Sequence, residues 1–138
     1  MPGTYQRIKL PYGLNELEPI IYFKTMYYHY NILHQNYETK LNEAVRGSEL
    51  EQQFPTLEKL MENLEQLPAE IKEDVQFFGG GLINHNFFFT HLVKASKILE
   101  EKIGLELLGV IEKKFTNLEN LKKELVKSAL KVRGSGWT

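Results

Sequence analysis

The apolar positions along the chain predict a run of helices. After Pro19, the segment "IIYFKTMYYHYNILHQNYETKLNEAV" carries aliphatic and aromatic residues on more than one face, and no helix breaker occurs before Gly47. This predicts one long helix, mostly buried and with room for a bend. Behind Pro55-Thr56, residues Leu57, Leu60, Met61, Leu64 and Leu67 fall at helical spacing and predict a short amphipathic helix. Pro68 suits the first position of another helix, and Glu70, Glu73 and Asp74 suit its N-terminal turn. That helix is expected to run through "GGG" to about Leu92. Further on, Ile103, Leu107, Ile111 and Phe115 share one stripe. Thr116 to Glu119 then fits a capping box, opening a last helix with Leu118, Leu121, Leu125 and Ala129 inward.

The remaining segments are punctuation. Pro2, Gly3, Pro11 and Gly13 make the first fifteen residues an expected extended arm, and "RGSGWT" reads as a turn. No stretch alternates with period two, so the expected fold class is mainly α. There is no internal repeat or low-complexity tract.

Composition narrows the function classes. Hydrophobic residues make up 42% and charged residues 25%, with a formal net charge of −1, so a nucleic-acid surface spread over the whole molecule is excluded. There are no cysteines, which removes disulfides, thiolate metal sites and cysteine nucleophiles. No run reaches the roughly 18–20 apolar residues of a spanning helix, and "MPGTYQRIKL" has no signal core. The expectation is a soluble, cytoplasmic protein, with the mitochondrial matrix left open, and without membrane or nucleic-acid partners.

Histidines carry the candidate chemistry. His29, Leu33 and Tyr37 fall at i, i+4 and i+8 on the first long helix, and Gly81, His85 and Phe89 repeat that spacing on the second. Antiparallel packing would bring His29 and His85 face to face with Tyr37 nearby. Three glycines in a helix need a reason, since each costs about 0.5–1 kcal/mol relative to alanine, and close helix approach supplies one. The plain alternative is a hydrogen-bonded core histidine, with about one chance in ten for a ligand from pattern alone. Tyr27, Tyr28, Tyr30 and Phe87 to Phe89 read first as core packing, and His34 and His91 as surface or boundary residues. The stretches "LEEKIG" and "NLKKEL" read as solvated helix faces. No serine sits in an elbow motif, and "GGGLIN" lacks the Lys-Ser/Thr ending of a phosphate loop.

Six segments in register decide between these readings: "LPYGLNELEP" at 10–19, "YHYNILHQNYETKLN" at 28–42, "LPAEI" at 67–71, "GGGLINHNFFF" at 79–89, "IEKKFTNLENLKKEL" at 111–125 and "GSGWT" at 134–138. With them the chain resembles the iron/manganese superoxide dismutases from about Lys9 to Thr138. The resemblance implies a helical-hairpin domain over residues 1–94. It also implies, over 95–138, the helical beginning of an α/β C-terminal domain whose sheet is missing. It makes His29 and His85 metal ligands and Tyr37 the active-site tyrosine at the substrate entrance. Superoxide dismutation needs one-electron steps in both directions, so one manganese or iron ion is the implied cofactor. Iron-type members commonly carry a glutamine four residues before the second ligand; Gly81 at that position is similar to the manganese type.

Three departures qualify the resemblance. Leu33 stands where the family usually has a histidine beside the tyrosine, and Phe89 replaces a common tryptophan. The Asp-x-Trp-Glu-His motif that carries the family's other two ligands does not occur in the 138 residues. The expectation is therefore a partial superoxide dismutase chain that forms a homodimer when completed and turns over superoxide poorly or not at all alone. The alternative is a non-catalytic structural or interaction subunit derived from the same family, as in some mitochondrial ribosomal proteins.

Overall fold

A computed structural model describes residues 4–94, 103–134 and 136–138. Pro2 and Gly3 of the arm, residues 99–102 of the charged stretch and Ser135 of the terminal turn lie outside them. Among the described residues there are helices and no strands, and no helix is long and apolar enough to cross a membrane. The fold is mainly α, as the periodicity predicts. The chain divides into two compact units, Met1–Ile98 and Leu99–Thr138.

The first unit is built on a hairpin of two long helices. One runs through Phe23–Met26, Tyr27–His34 and Gln35–Val45, with the middle stretch wound as a π-helix. The other runs through Ala69–Asp74, a π-wound Val75–Gly79 and Gly80–His91. The C-terminal half of the first packs on the N-terminal half of the second, and Tyr27–His34 packs on Gly80–His91, so the pair is antiparallel. Neither helix needs a side-chain cap at its interior junctions, because each segment hands its hydrogen bonds to the next.

The connection between them departs in detail from the expected single helix. Thr56 caps Leu57–Glu62 by accepting from Lys59 N at 3.3 Å, but the α-helix ends at Asn63 and a 3-10 turn, Leu64–Gln66, replaces its last turn. Pro68 is the residue before the next helix rather than its first residue, since its ψ of 138° is extended. Leu57, Leu60 and Leu67 still reach the core with Leu41, Val45, Val75 and Leu82. A second cluster of Leu17, Met26 and Phe89 lies toward the other end of the hairpin. The arm is not loose: Tyr5 is 1% exposed, its hydroxyl donates to Phe54 O at 2.6 Å, and Asn42 brackets its backbone from both sides.

Burial also corrects the reading of the aromatic run. Tyr27, Tyr28 and Phe87, expected in the core, are 41%, 52% and 67% exposed. These residues lie beyond the faces that the second long helix, the arm and the short helices cover, so they stay outside however apolar they are.

In the second unit, Leu105–Phe115 and Leu118–Ala129 pack on each other. Asn117, not Thr116, caps the last helix: its side chain accepts from Asn120 N at 2.9 Å. Thr116 has φ 73° and makes the turn, a geometry that removes it from capping. Ile111 is buried, but Leu107 and Leu125, expected inward, are 58% and 47% exposed. Two helices alone cannot enclose both stripes.

Candidate metal centre

The site lies between the two apolar clusters, where Tyr27–His34 packs on Gly80–His91. His29, from the π-wound stretch, meets His85 edge-on, with ring centroids 5.0 Å apart and planes at 89°. Tyr37 lies 5.0 Å from His85 by ring centroids. Phe89 is fully buried beside three of the four imidazoles, with ring centroids 5.0 Å from His29, 6.3 Å from His85 and 5.3 Å from His34. Among the predicted site residues His29, Tyr37, Gly81, His85 and Phe89 come together. Leu33 does not; it is 55% exposed and belongs to neither cluster.

The glycine run has the steric role expected of it. A Cβ on Gly81 would stand 2.5 Å from Tyr37 Cε1, and one on Gly79 would stand 2.5 Å from Met61 Sδ, far inside van der Waals contact. Gly80 is under no such constraint. Gly81 also orients His85: its carbonyl accepts from His85 Nδ1 at 2.7 Å, so Nδ1 carries a proton.

His34 is the main surprise. Expected at the surface, it is fully buried, stacked on Phe89 at 21° and 5.5 Å from His85. In an α-helix a residue five positions on points to another side, but i→i+5 bonding makes five residues roughly one turn. The π-winding thus returns His34 to the side of His29, and no feature of the residue types announces that winding. No hydrogen bond of regular geometry reaches either ring nitrogen of His34, and Asn86 is the polar side chain that stands close to it. Burial first, then the charges of His85 and Arg7, push its pKa down to about 4, so the ring is neutral. Burial, followed by His85, also lowers the His29 pKa, which keeps that imidazole in the form that can coordinate a metal.

A family model described as "Iron/manganese superoxide dismutases, alpha-hairpin domain" matches residues 4–93. The chain belongs to the iron/manganese superoxide dismutase family. Similar curated proteins include those named Superoxide dismutase Mn/Fe 2 from Staphylococcus aureus strains MW2, COL and USA300. Each is 38% identical over 129 residues, covering 94% of this chain and 61% of the relative. The chain thus spans about three fifths of the length of these superoxide dismutases. Membership in the family implies manganese or iron. The donor chemistry fits such an ion, since two imidazoles converge and a backbone carbonyl holds the Nδ1 proton of one. Among the described residues no group of three or more His, Asp or Glu side chains is placed to hold a metal, so the hairpin offers two donors rather than a full set.

Proposed function

We propose that this chain carries the hairpin half of a superoxide dismutase centre, with His29 and His85 as two ligands of one manganese or iron ion and the remaining donors supplied from outside these residues. The reading rests on the edge-on approach of His29 and His85 across the hairpin at 5.0 Å. The ion would supply the one-electron oxidation and reduction of superoxide that no side chain here can perform.

The residues of the chain prepare the site. Gly81 O orients His85 and holds its Nδ1 proton, so Nε2 is the nitrogen through which His85 would hold the ion. Phe89 and the neutral His34 close the interior side against water. Tyr37, half-buried over Gly81 with its ring 5.0 Å from that of His85, is the residue we assign to delivering substrate and protons. Gly81 stands where iron-type members of the family commonly carry a glutamine, and on that likeness manganese is the favoured ion. Superoxide is the proposed substrate, and a homodimer the proposed assembly of the completed enzyme.

The test is metal uptake by the purified chain, measured with Mn²⁺ and Co²⁺ by calorimetry. One ion per chain is expected, and His85→Ala or His29→Ala should weaken binding by at least about tenfold, since each deletes a ligand outright. Unchanged binding in either variant would remove the ligand assignment.

A further inference from the structure

The arm that precedes the hairpin touches both helices beside the histidine pair, through a single residue. Ile8 O accepts from the Tyr30 hydroxyl at 2.6 Å, and Ile8 N donates to Asn86 Oδ1 at 2.9 Å. Tyr30 directly follows His29 and Asn86 directly follows His85. The residue after each proposed ligand is therefore tied to the same residue of the arm, from opposite helices. Neighbouring contacts reinforce the tie. Asn86 Nδ2 donates to Gln6 O at 3.4 Å. Arg7 donates to Tyr30 O at 2.8 Å, and its guanidinium carbon lies 4.5 Å from the centroid of the Tyr30 ring. Its Nε pairs with Glu38 Oε2 at 3.3 Å, one turn beyond His34 on the same helix.

We propose that Gln6, Arg7 and Ile8 form a clasp that sets the separation and orientation of His29 and His85, with Tyr30 and Asn86 as its positioning residues; this rests on the reading of the two histidines as metal donors. The physical need is specific. A π-wound stretch shifts its carbonyls out of the regular ladder, and the Arg7 guanidinium satisfies one of them, at Tyr30, where the winding places His29. The two helices face each other at this level through aromatic rings, whose contacts tolerate sliding, whereas the Ile8 hydrogen bonds have fixed length and direction. A side chain that acts one residue from a ligand, through backbone geometry, belongs to the class of outer contacts whose loss costs metal affinity more than it costs folding.

Three variants of the full chain test this: Tyr30→Phe, which removes one hydroxyl and keeps the ring, Asn86→Ala, and Asn86→Asp, which keeps the acceptor for Ile8 N. The metal-free readout is the nuclear Overhauser contact between the ring protons of His29 and His85; the metal readout is Co²⁺ affinity. Tyr30→Phe and Asn86→Ala are expected to weaken the ring contact and to lower Co²⁺ affinity by about 10- to 100-fold, with Asn86→Asp recovering most of both. Ring contacts that persist unchanged in Tyr30→Phe and Asn86→Ala would overturn the clasp. If the wild-type chain takes up no Co²⁺, the metal reading fails, and the ring contacts still decide whether the arm sets the histidine pair. Loss of the ring contact in Asn86→Asp to the same extent as in Asn86→Ala would also count against it, because the Ile8 acceptor is intact there.

Discussion

The two units treat the same kind of sequence pattern differently. In Met1–Ile98 the apolar stripes of the long helices close over Leu41, Val45, Val75 and Leu82, all essentially inaccessible. In Leu99–Thr138 comparable stripes leave Leu107, Leu125, Val126 and Leu130 between 47% and 82% exposed, and the helix Leu118–Ala129 has no buried residue. Periodicity tells which face of a helix is apolar, and it says nothing about how many neighbours that face meets. The hairpin unit has the arm, the short helices and a second long helix around each stripe; within the other unit each helix has one neighbour.

This contrast predicts unequal responses to the same truncation. Leu41→Ala should destabilise the hairpin unit by about 2–5 kcal/mol, through lost burial and an unfilled cavity. Leu125→Ala in the other unit should change stability by no more than about 0.5 kcal/mol, since the side chain is already half in water. The seven tyrosines all lie in the first unit and the single tryptophan, Trp137, in the second, so near-ultraviolet dichroism and tryptophan fluorescence report the two units separately in one denaturant titration. Equal losses from the two substitutions would abolish the distinction.

A glycine substitution sharpens the comparison beside the histidine pair. Gly81→Ala places a methyl group against the Tyr37 ring, which is held between the helices and cannot retreat as a flexible side-chain end would. A loss of about 1–3 kcal/mol is expected from overpacking, read from the tyrosine signal. The substitution should also turn the Tyr37 ring away from His85. A neutral or stabilising Gly81→Ala would mean that Tyr37 is free to move and that the glycine serves no close approach.

How much of this was legible in the sequence depends on which physical rule governs each residue. The long helices, the faces that carry His29 and His85 and the steric role of the glycines follow from helical periodicity and from the cost of glycine in helices, whereas the hairpin that brings those faces together came with the resemblance. The six segments in register supplied the family. His34 was not legible, because its burial depends on i→i+5 winding over Tyr27–His34, which no residue type there encodes. The exposure of Tyr27, Tyr28 and Phe87 was missed because hydrophobicity was read without counting partners. The arm was legible as non-helical from its prolines and glycines; its hydrogen bonds to Tyr30 and Asn86 are tertiary and have no local signature. Asn117 displaced Thr116 as cap through a single left-handed residue, a choice between two adjacent polar side chains that both suit the position.

The smallest predicted effect is the mirror image of Gly81→Ala. Gly109 lies inside Leu105–Phe115, and a Cβ built there meets nothing within 4 Å. Here glycine contributes only backbone freedom to the unfolded chain and no compensating contact to the helix. Gly109→Ala should therefore stabilise the second unit by about 0.5–1 kcal/mol. Amide hydrogen exchange from Ile111 to Phe115 is the measurement, because it reports opening of this helix without requiring the hairpin unit to unfold. Slower exchange at Gly109→Ala, set beside destabilisation at Gly81→Ala, would show that one substitution changes sign with the presence of a neighbour. Faster exchange would mean that the face around Gly109 is packed against something in solution, and the contrast between a closed and an open unit would fail at that point.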